Sequence, residues 1–477
     1  MELDSDRCYR ALRARDVRFD GRFFVGVTTT GIYCRPICPS RPPKRENCTF
    51  HPSAAAAETA GFRPCLRCRP ELAPGNASID AGARLAQQAA SLIEDEVADG
   101  GSVDEIAGRL NISDRHLRRV FQTEFGVAPI AYAQTHRMLL AKRLLTDTRL
   151  SVTDVALASG FHSVRRFNAL FRERYRLKPT DLRRATATRE IADRFMFELA
   201  FRPPFDWQAL LDFFAARTIA GVDDVAGDAY RRTLRMIVRG TEHTGWIEVR
   251  PVARKHTVRV SVSATFAAVL PAVLARTKRV FDLACDPGQV QAALGELAAA
   301  NPGLRLPGAF DAFELAVRAV LGQQITVRAA RTLAGRFAER FGAPIETPFD
   351  GLTRLFPAPA TVATLPYGDI AALGIIATRA KTILALAQGF ASGSVVLEPG
   401  ADADTSIERL RALPGIGDWT AQYMAMRALA WPDAFPHTDY GVMKALGEKN
   451  PRRVLALAEA WRPWRAYAVM HLWQSLK

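Results

Sequence analysis

The 477-residue sequence has no apolar run approaching the ~18 residues that a membrane-spanning helix needs. Its first ten residues, Met1 to Arg10, hold three acids and no apolar core, so neither a secretory signal nor a membrane anchor is expected and a cytoplasmic location is. Cysteine is scarce, seven residues in all, and only Cys8 and Cys285 lie outside residues 34–68. Acids are in deficit, 49 Asp and Glu against 64 Lys and Arg, which leaves a net charge of +15. With 48% apolar and 24% charged residues the chain is neither disordered nor collagenous. It is too long for one hydrophobic core, and two to four domains are expected.

The positive charge is localised. Residues 1–70 hold 13 basic and 7 acidic side chains, and residues 111–190 hold 16 and 7. These two regions carry the whole excess, and the remainder is neutral. Concentrated basic charge suits a polyanion such as DNA, because each neutralised phosphate releases condensed counterions. A merely solvated basic face would give the same balance.

Five cysteines fall between Cys34 and Cys68, in the pattern Cys34-x3-Cys38 and Cys65-x2-Cys68. Closely spaced pairs let two thiolates bind one tetrahedral metal, and two pairs complete a four-cysteine zinc site. Structural disulfides are unusual in the cytosol, which favours zinc. Cys48 has no partner at ligand spacing, and it reads, with Cys8 and Cys285, as a plain thiol. Purely structural zinc is the plainer alternative. The stretches Thr28-Thr29-Thr30-Gly31-Ile32-Tyr33-Cys34-Arg35-Pro36-Ile37-Cys38, Arg45-Glu46-Asn47 and Gly61-Phe62-Arg63-Pro64-Cys65-Leu66-Arg67-Cys68 closely resemble the N-terminal domain of Ada-type alkylation-response proteins. That resemblance implies that Cys34 accepts a methyl group from a DNA methylphosphotriester and that Cys38, Cys65 and Cys68 are the other zinc ligands. Zinc keeps a bound thiol deprotonated, so the nucleophile needs no general base. Arg35, Arg41, Arg63 and Arg67 are candidates to grip the phosphates around the neutral methylated one. Four thiolates on Zn²⁺ carry a formal −2, and methylating one leaves −1, which would strengthen DNA binding.

Beyond the turn-rich Ala73-Pro74-Gly75-Asn76, a repeat of about 50 residues appears. Ser102-Val103-Asp104-Glu105-Ile106-Ala107 recurs as Ser151-Val152-Thr153-Asp154-Val155-Ala156, and Phe121, Phe125 and Pro129 recur as Phe171, Tyr175 and Pro179. In each copy Ser102 or Ser151 caps a short helix, a turn follows near Asn111 or Gly160, and a second helix begins at Ser113 or Ser163. The second helices expose Arg115, His116, Arg118 and Arg119, and Val164, Arg165, Arg166 and Asn168, and Arg and Asn are the side chains that read guanine and adenine edges. Residues 84–184 resemble the AraC/XylS-type helix-turn-helix domain, including Gly160-Phe161-x-Ser163 and Arg176-Leu177-Lys178-Pro179.

From Phe195 short β-rich runs appear at residues 196–200, 230–234, 246–249 and 258–262, with helical stretches near 207–216 and 264–276, as in an α+β unit with an antiparallel sheet. From about residue 280 helical periodicity dominates. Within it lies Leu413-Pro414-Gly415-Ile416-Gly417-Asp418-Trp419-Thr420-Ala421, where the glycines leave backbone amides free to face a phosphate. Asp439, 22 residues beyond Gly417, has the plainer reading of a helix N-cap. Together the hairpin and this spacing resemble the helix-hairpin-helix DNA glycosylases, whose catalytic Asp lies at that offset. Pro463-Trp464-Arg465-Ala466-Tyr467-Ala468 and His471-Leu472-Trp473 narrow the match to the AlkA type, 3-methyladenine glycosylase II, over residues 196–477.

That resemblance implies that Asp439 stabilises the oxocarbenium-like sugar and orients water. Strand-cutting relatives place a Schiff-base Lys at the position of Trp419, so a monofunctional hydrolase is expected. Trp419, Tyr423 and Trp473 would line an electron-rich pocket for a cationic alkylated purine, each face contributing about 0.5–2 kcal/mol. Gly322-Gln323-Gln324-Ile325 occupies the wedge-loop position, with Gln324 where the family's best-known member has an apolar wedge. Thr438 stands where that member has a second acid. The Pro-Cys-His-Arg motif of a second acceptor domain is absent, so direct repair of O6-methylguanine is not expected.

The expected fold is multidomain: a small α/β four-cysteine zinc domain (1–74), an all-α double helix-turn-helix domain (80–185), an α+β subdomain (195–280) and an all-α helix-hairpin-helix glycosylase domain (281–477). The expected function is an alkylation-damage response protein that activates transcription, with double-stranded DNA and RNA polymerase as partners, acting as a monomer. The alternative is a regulator whose glycosylase half is an inactive scaffold.

Overall fold

A computed structural model of the chain describes residues 3–74, 81–96, 103–110, 112–184, 193–238, 240–398 and 401–476. Ser102, Asn111 and the Gly75-Asn76 part of the turn-rich linker lie outside these residues. No helix among the described residues is long and apolar enough to cross a membrane.

The N-terminal module is a four-stranded sheet: β1 (Phe24–Val27), β2 (Ile32–Cys34), β3 (Cys48–His51) and β4 (Arg63–Pro64), in the order β3-β1-β2-β4. Gly31, at φ +64°, makes the turn into β2. The parallel pairing of Tyr33 with Pro64 sets the ends of β2 and β4 side by side, which brings Cys34 and Cys65 together. A small core of Cys8, Ala11, Leu12, Phe23, Val25 and Cys48 packs the helix Ser5–Ala14 onto this sheet.

In the second module the repeat forms two helix pairs, Val103–Arg109 with Asp114–Phe125, and Val152–Ala158 with Val164–Tyr175. The serines act as the sequence implies. Ser113 accepts from the His116 amide, Ser163 from the Arg166 amide, and Ser151 forms a reciprocal capping box with Asp154. Gly160, at φ +76°, makes the turn of the second pair. A helix of 19 residues, Pro129–Asp147, joins the two copies.

The third module is an antiparallel sheet in the order β5-β9-β8-β7-β6: β5 (Arg194–Ala200), β6 (Asp223–Ala226), β7 (Ala229–Val238), β8 (Thr241–Pro251) and β9 (Thr257–Ser263). β6, a short Asp-Asp-Val-Ala edge strand, carries no β-rich signal of its own. The helix expected near 264–276 begins as a 3₁₀ segment, Ala264–Val269, and runs on as Leu270–Val280. The remainder is helical, and one continuous apolar core joins it to the sheet.

The modules are docked through buried polar contacts. Glu58 of the zinc module accepts from Tyr33, Thr135, Arg174 and Tyr175. Lys142 donates to both oxygens of buried Glu71, at 2.6 and 2.7 Å. Arg202, 1% exposed, donates to the Asp20 carbonyl at 3.0 Å and the Ala284 carbonyl at 2.9 Å. Arg22 pairs with Asp286, and Arg143 donates to the Glu198 carbonyl.

Candidate metal centre and base pocket

The sulfurs of Cys34, Cys38, Cys65 and Cys68 all lie within 4.8 Å of one another. None of the seven cysteines is in a disulfide. Four soft thiolate donors at this separation fit a closed tetrahedral zinc site. The Arg35 amide donates to Cys68 Sγ at 3.3 Å, a backbone contribution that helps offset the thiolate charge. Cys38, Cys65 and Cys68 are buried, and Cys34 alone is partly open to solvent. The other three cysteines sit in packed surroundings, where burial pushes the thiols of Cys8 and Cys285 up to about 11 and 12.

Arg35 departs from expectation. It is 5% exposed, donates to Asp20 at 2.8 Å and to the Cys68 carbonyl at 3.1 Å, and so is part of the scaffold of the zinc loop. A guanidinium already paired with a buried carboxylate is not free for phosphate. Arg41 and Arg67 are exposed and Arg63 is half-buried. On the helix-turn-helix module Arg115, Arg118, Arg119, Arg165 and Arg166 are exposed and Asn168 is half-buried. Arg118 pairs with Asp114 at 2.8 Å, and Arg119 contacts His116.

In the C-terminal half the hairpin Leu413–Gly417 joins the helices Ala403–Arg411 and Asp418–Arg427. Gly415 has φ +83°, and a Cβ there would come within 2.1 Å of Thr382 Oγ1. Gly417 is the N-cap of the second helix and has open space around its Cα. The hairpin opens onto a cavity of about 1200 Å³ whose lining includes Trp419, Tyr423, Asp439, Trp473, Gln324 and Phe213.

Asp439 is indeed the N-cap of the helix Tyr440–Leu446, its Oδ1 accepting from the Val442 amide at 2.9 Å. It also lines the cavity, so its capping role does not remove it from the pocket. Trp473 Nε1 donates to Oδ1 and Trp419 Nε1 to Oδ2, each at 2.8 Å. Trp419 stacks on Tyr423, with centroids 5.4 Å apart and planes 7° from parallel, and Phe213 lies parallel to Trp473. Gln324 is exposed on the rim at φ +53°. Its neighbour Gln323 donates to the Gly415 carbonyl and Thr420 Oγ1, tying this loop to the hairpin. Thr438 is exposed beside Asp439.

Sequence reasoning missed Phe213, Arg217 and Arg427. Arg427 lies four residues after Tyr423 on the same helix face, a spacing that could have suggested it. Phe213 and Arg217 come from the α+β subdomain, and no local pattern links them to the pocket.

Four family models match the chain in order: the metal binding domain of Ada over residues 7–71, a helix-turn-helix domain over 106–185, the AlkA N-terminal domain over 196–311, and the HhH-GPD superfamily of base excision DNA repair proteins over 317–450. A probable bifunctional transcriptional activator/DNA repair enzyme AlkA from Mycobacterium tuberculosis is 39% identical over 100% of this chain and 97% of its own length. DNA-3-methyladenine glycosylase 2 of Escherichia coli is 37% identical over 59% of this chain and 97% of its own. The bifunctional transcriptional activator/DNA repair enzyme Ada of Escherichia coli is 37% identical over 33% of this chain and 43% of its own. The four-cysteine cluster is thus a zinc centre of the Ada type, and the helix-turn-helix and glycosylase modules bind DNA. By its full-length match and its order of modules, the chain belongs to the family of bifunctional transcriptional activator/DNA repair enzymes that join an Ada-type zinc module to an AlkA-type glycosylase.

Proposed function

We propose that the C-terminal half hydrolyses the N-glycosidic bond of alkylated bases of the 3-methyladenine type in duplex DNA, without cutting the strand. The observation that carries this reading is Asp439, whose two oxygens are held by the two tryptophans that also wall the base cavity. A carboxylate fixed by two indoles and a backbone amide does not need to reorganise as positive charge develops on the sugar, which makes its stabilisation effective. It is also placed to orient the attacking water. The Trp419–Tyr423 stack presents π-faces to an extruded base, and Gln324 on the rim is the candidate to fill the gap that the base leaves. Trp419 supplies no amine, so no Schiff base forms and no lyase step follows. The amides around Gly415 and Gly417 hold the DNA backbone.

In the same reading Cys34, the one ligand open to solvent, takes a methyl group from a methylphosphotriester. Zinc, when bound, keeps the four thiols deprotonated. Cys34 attacks the methyl carbon while Arg41, Arg63 and Arg67 hold neighbouring phosphates. The helix-turn-helix module, through Arg115, Arg118, Arg119, Arg165, Arg166 and Asn168, then engages promoter DNA and meets RNA polymerase. The protein acts as a cytoplasmic monomer with modules at 1–74, 80–185, 195–280 and 281–477. The similarity to DNA-3-methyladenine glycosylase 2 supports the first activity, and the match to the metal binding domain of Ada supports the second. The deciding measurement is release of 3-methyladenine from alkylated DNA by wild type and by Asp439→Asn. Equal release by both sinks the catalytic assignment, and release by neither favours a regulator with an inactive glycosylase scaffold.

A further inference from the structure

The lining of the base cavity includes Arg217 and Arg427. Arg427, 6% exposed, donates to the Pro307 carbonyl, the Gly308 carbonyl and the Tyr423 hydroxyl, at 2.9, 2.9 and 2.8 Å. Arg217 places its guanidinium 3.8 Å from the centroid of Phe213 and donates to the Phe213 carbonyl. Trp419, Tyr423 and Arg427 follow one another at four-residue spacing on one helix, a face about 12 Å long. One end of that face binds Asp439 and the other is cationic.

A guanidinium has donors only. Arg427 therefore occupies a lone pair of the Tyr423 oxygen and leaves the phenolic hydrogen unused. Among the described residues no acceptor for that hydrogen is recorded, and Tyr423 lines the cavity. Burial pushes the phenol up, but Arg427 and Arg217 outweigh it and hold its pKa below the ordinary value, as suits a strong donor.

We infer that Tyr423, polarised by Arg427, donates a hydrogen bond to the departing base and so determines how well the pocket releases uncharged bases. The inference rests on the glycosylase reading and deepens it. In hydrolysis the C1′–N bond breaks and its electron pair stays on the base nitrogen. Water adds hydroxide to C1′; its proton goes to solvent when the base was cationic and ends on the base when the base was uncharged. A cationic alkylated base leaves neutral, so a donor meets no negative charge on it and makes at most an ordinary hydrogen bond. An uncharged base leaves with negative charge spread onto its ring nitrogens and carbonyl oxygens, where a preplaced donor binds more tightly in the transition state than in the ground state. The ligand class is an uncharged purine that presents a ring nitrogen or carbonyl to Tyr423. Arg427 is a positioning residue, since it acts through the phenol.

The test uses the full chain and two duplexes, one with a single hypoxanthine (uncharged) and one with a single 7-methylguanine (cationic), under single-turnover conditions. Tyr423→Phe, which keeps the ring, is expected to lower the hypoxanthine to 7-methylguanine rate ratio by about tenfold or more. Arg427→Met is expected to move the ratio the same way, with Arg427→Lys restoring part of it. Loss of both rates by a common factor would assign the pair a structural role and overturn the inference, as would an unchanged ratio in Tyr423→Phe or a wild type that releases 7-methylguanine alone. If wild type releases neither base, the glycosylase reading itself fails and takes this one with it.

Discussion

The indole nitrogen of Trp419 lies 2.8 Å from Oδ2 of Asp439, and Trp473 makes the matching bond to Oδ1. The two aromatic walls of the base cavity are therefore also the groups that aim the carboxylate. In the function proposed above, base recognition and sugar stabilisation share side chains, so a change meant for one disturbs the other.

Replacing Trp419 or Trp473 by Phe keeps a π-face but removes a hydrogen bond to a charged acceptor, worth about 1.5–3 kcal/mol. Single-turnover release of 3-methyladenine is expected to fall about ten- to a hundredfold in each variant. Asp439→Asn is expected to lose at least about a hundredfold. The two Trp→Phe changes are expected to be non-additive in a double-mutant cycle, because both act on one carboxylate.

For the zinc module, Cys34→Ala is expected to abolish transfer of labelled methyl from methylated DNA. Cys38→Ala opens a buried ligand position and is expected to lower both zinc content and stability. Metal analysis alongside methyl uptake separates the two roles. Methyl accumulation on the Cys34→Ala protein would refute the acceptor assignment.

The hairpin glycines are expected to behave differently. Gly415→Ala combines a left-handed φ of +83° with overlap on Thr382, and is expected to cost about 2 kcal/mol or more in denaturant unfolding. Gly417 has φ −89° and open space. Gly417→Ala is expected to fold normally and to weaken duplex binding severalfold, because a methyl group then stands between the helix amides and a phosphate.

Burial holds the His471 imidazole down at about 4, below its ordinary 6.5. In acid the unfolded chain binds this proton first, so the contribution of neutral His471 to stability is complete above pH 6.5 and lost as pH falls toward 4. His471→Asn is expected to flatten the decline of the thermal midpoint between pH 6.5 and 4. A parallel decline in both proteins would contradict this.

Docking of the zinc module links zinc to the glycosylase half. All seven tryptophans lie at or beyond Trp207, so their fluorescence reports unfolding of that half alone. Chelating zinc is expected to lower the fluorescence-detected midpoint of wild type. Arg202→Ala removes the bonds to Asp20 and Ala284, and is expected to shrink that shift.

The sequence by itself determined the parts whose signal is short-range. Two cysteine pairs, serine-capped repeats, and a glycine hairpin followed at fixed distance by Asp439 are local patterns, because a metal chelate, a helix cap and a tight turn each constrain only a few neighbouring residues. The structure puts Cys34, Cys38, Cys65 and Cys68 in one cluster and Trp419, Tyr423, Asp439 and Trp473 around one cavity. Tertiary structure decided what each charged side chain is free to do. Arg35 looked like a phosphate ligand beside Cys34, yet packing turns it onto Asp20, because a buried carboxylate needs a partner. Arg217 and Phe213 reach the pocket from a subdomain some 200 residues away in the chain. Burial and the choice of hydrogen-bond partner depend on which distant segments pack together, and for that reason the arginines of the base pocket emerged only in three dimensions.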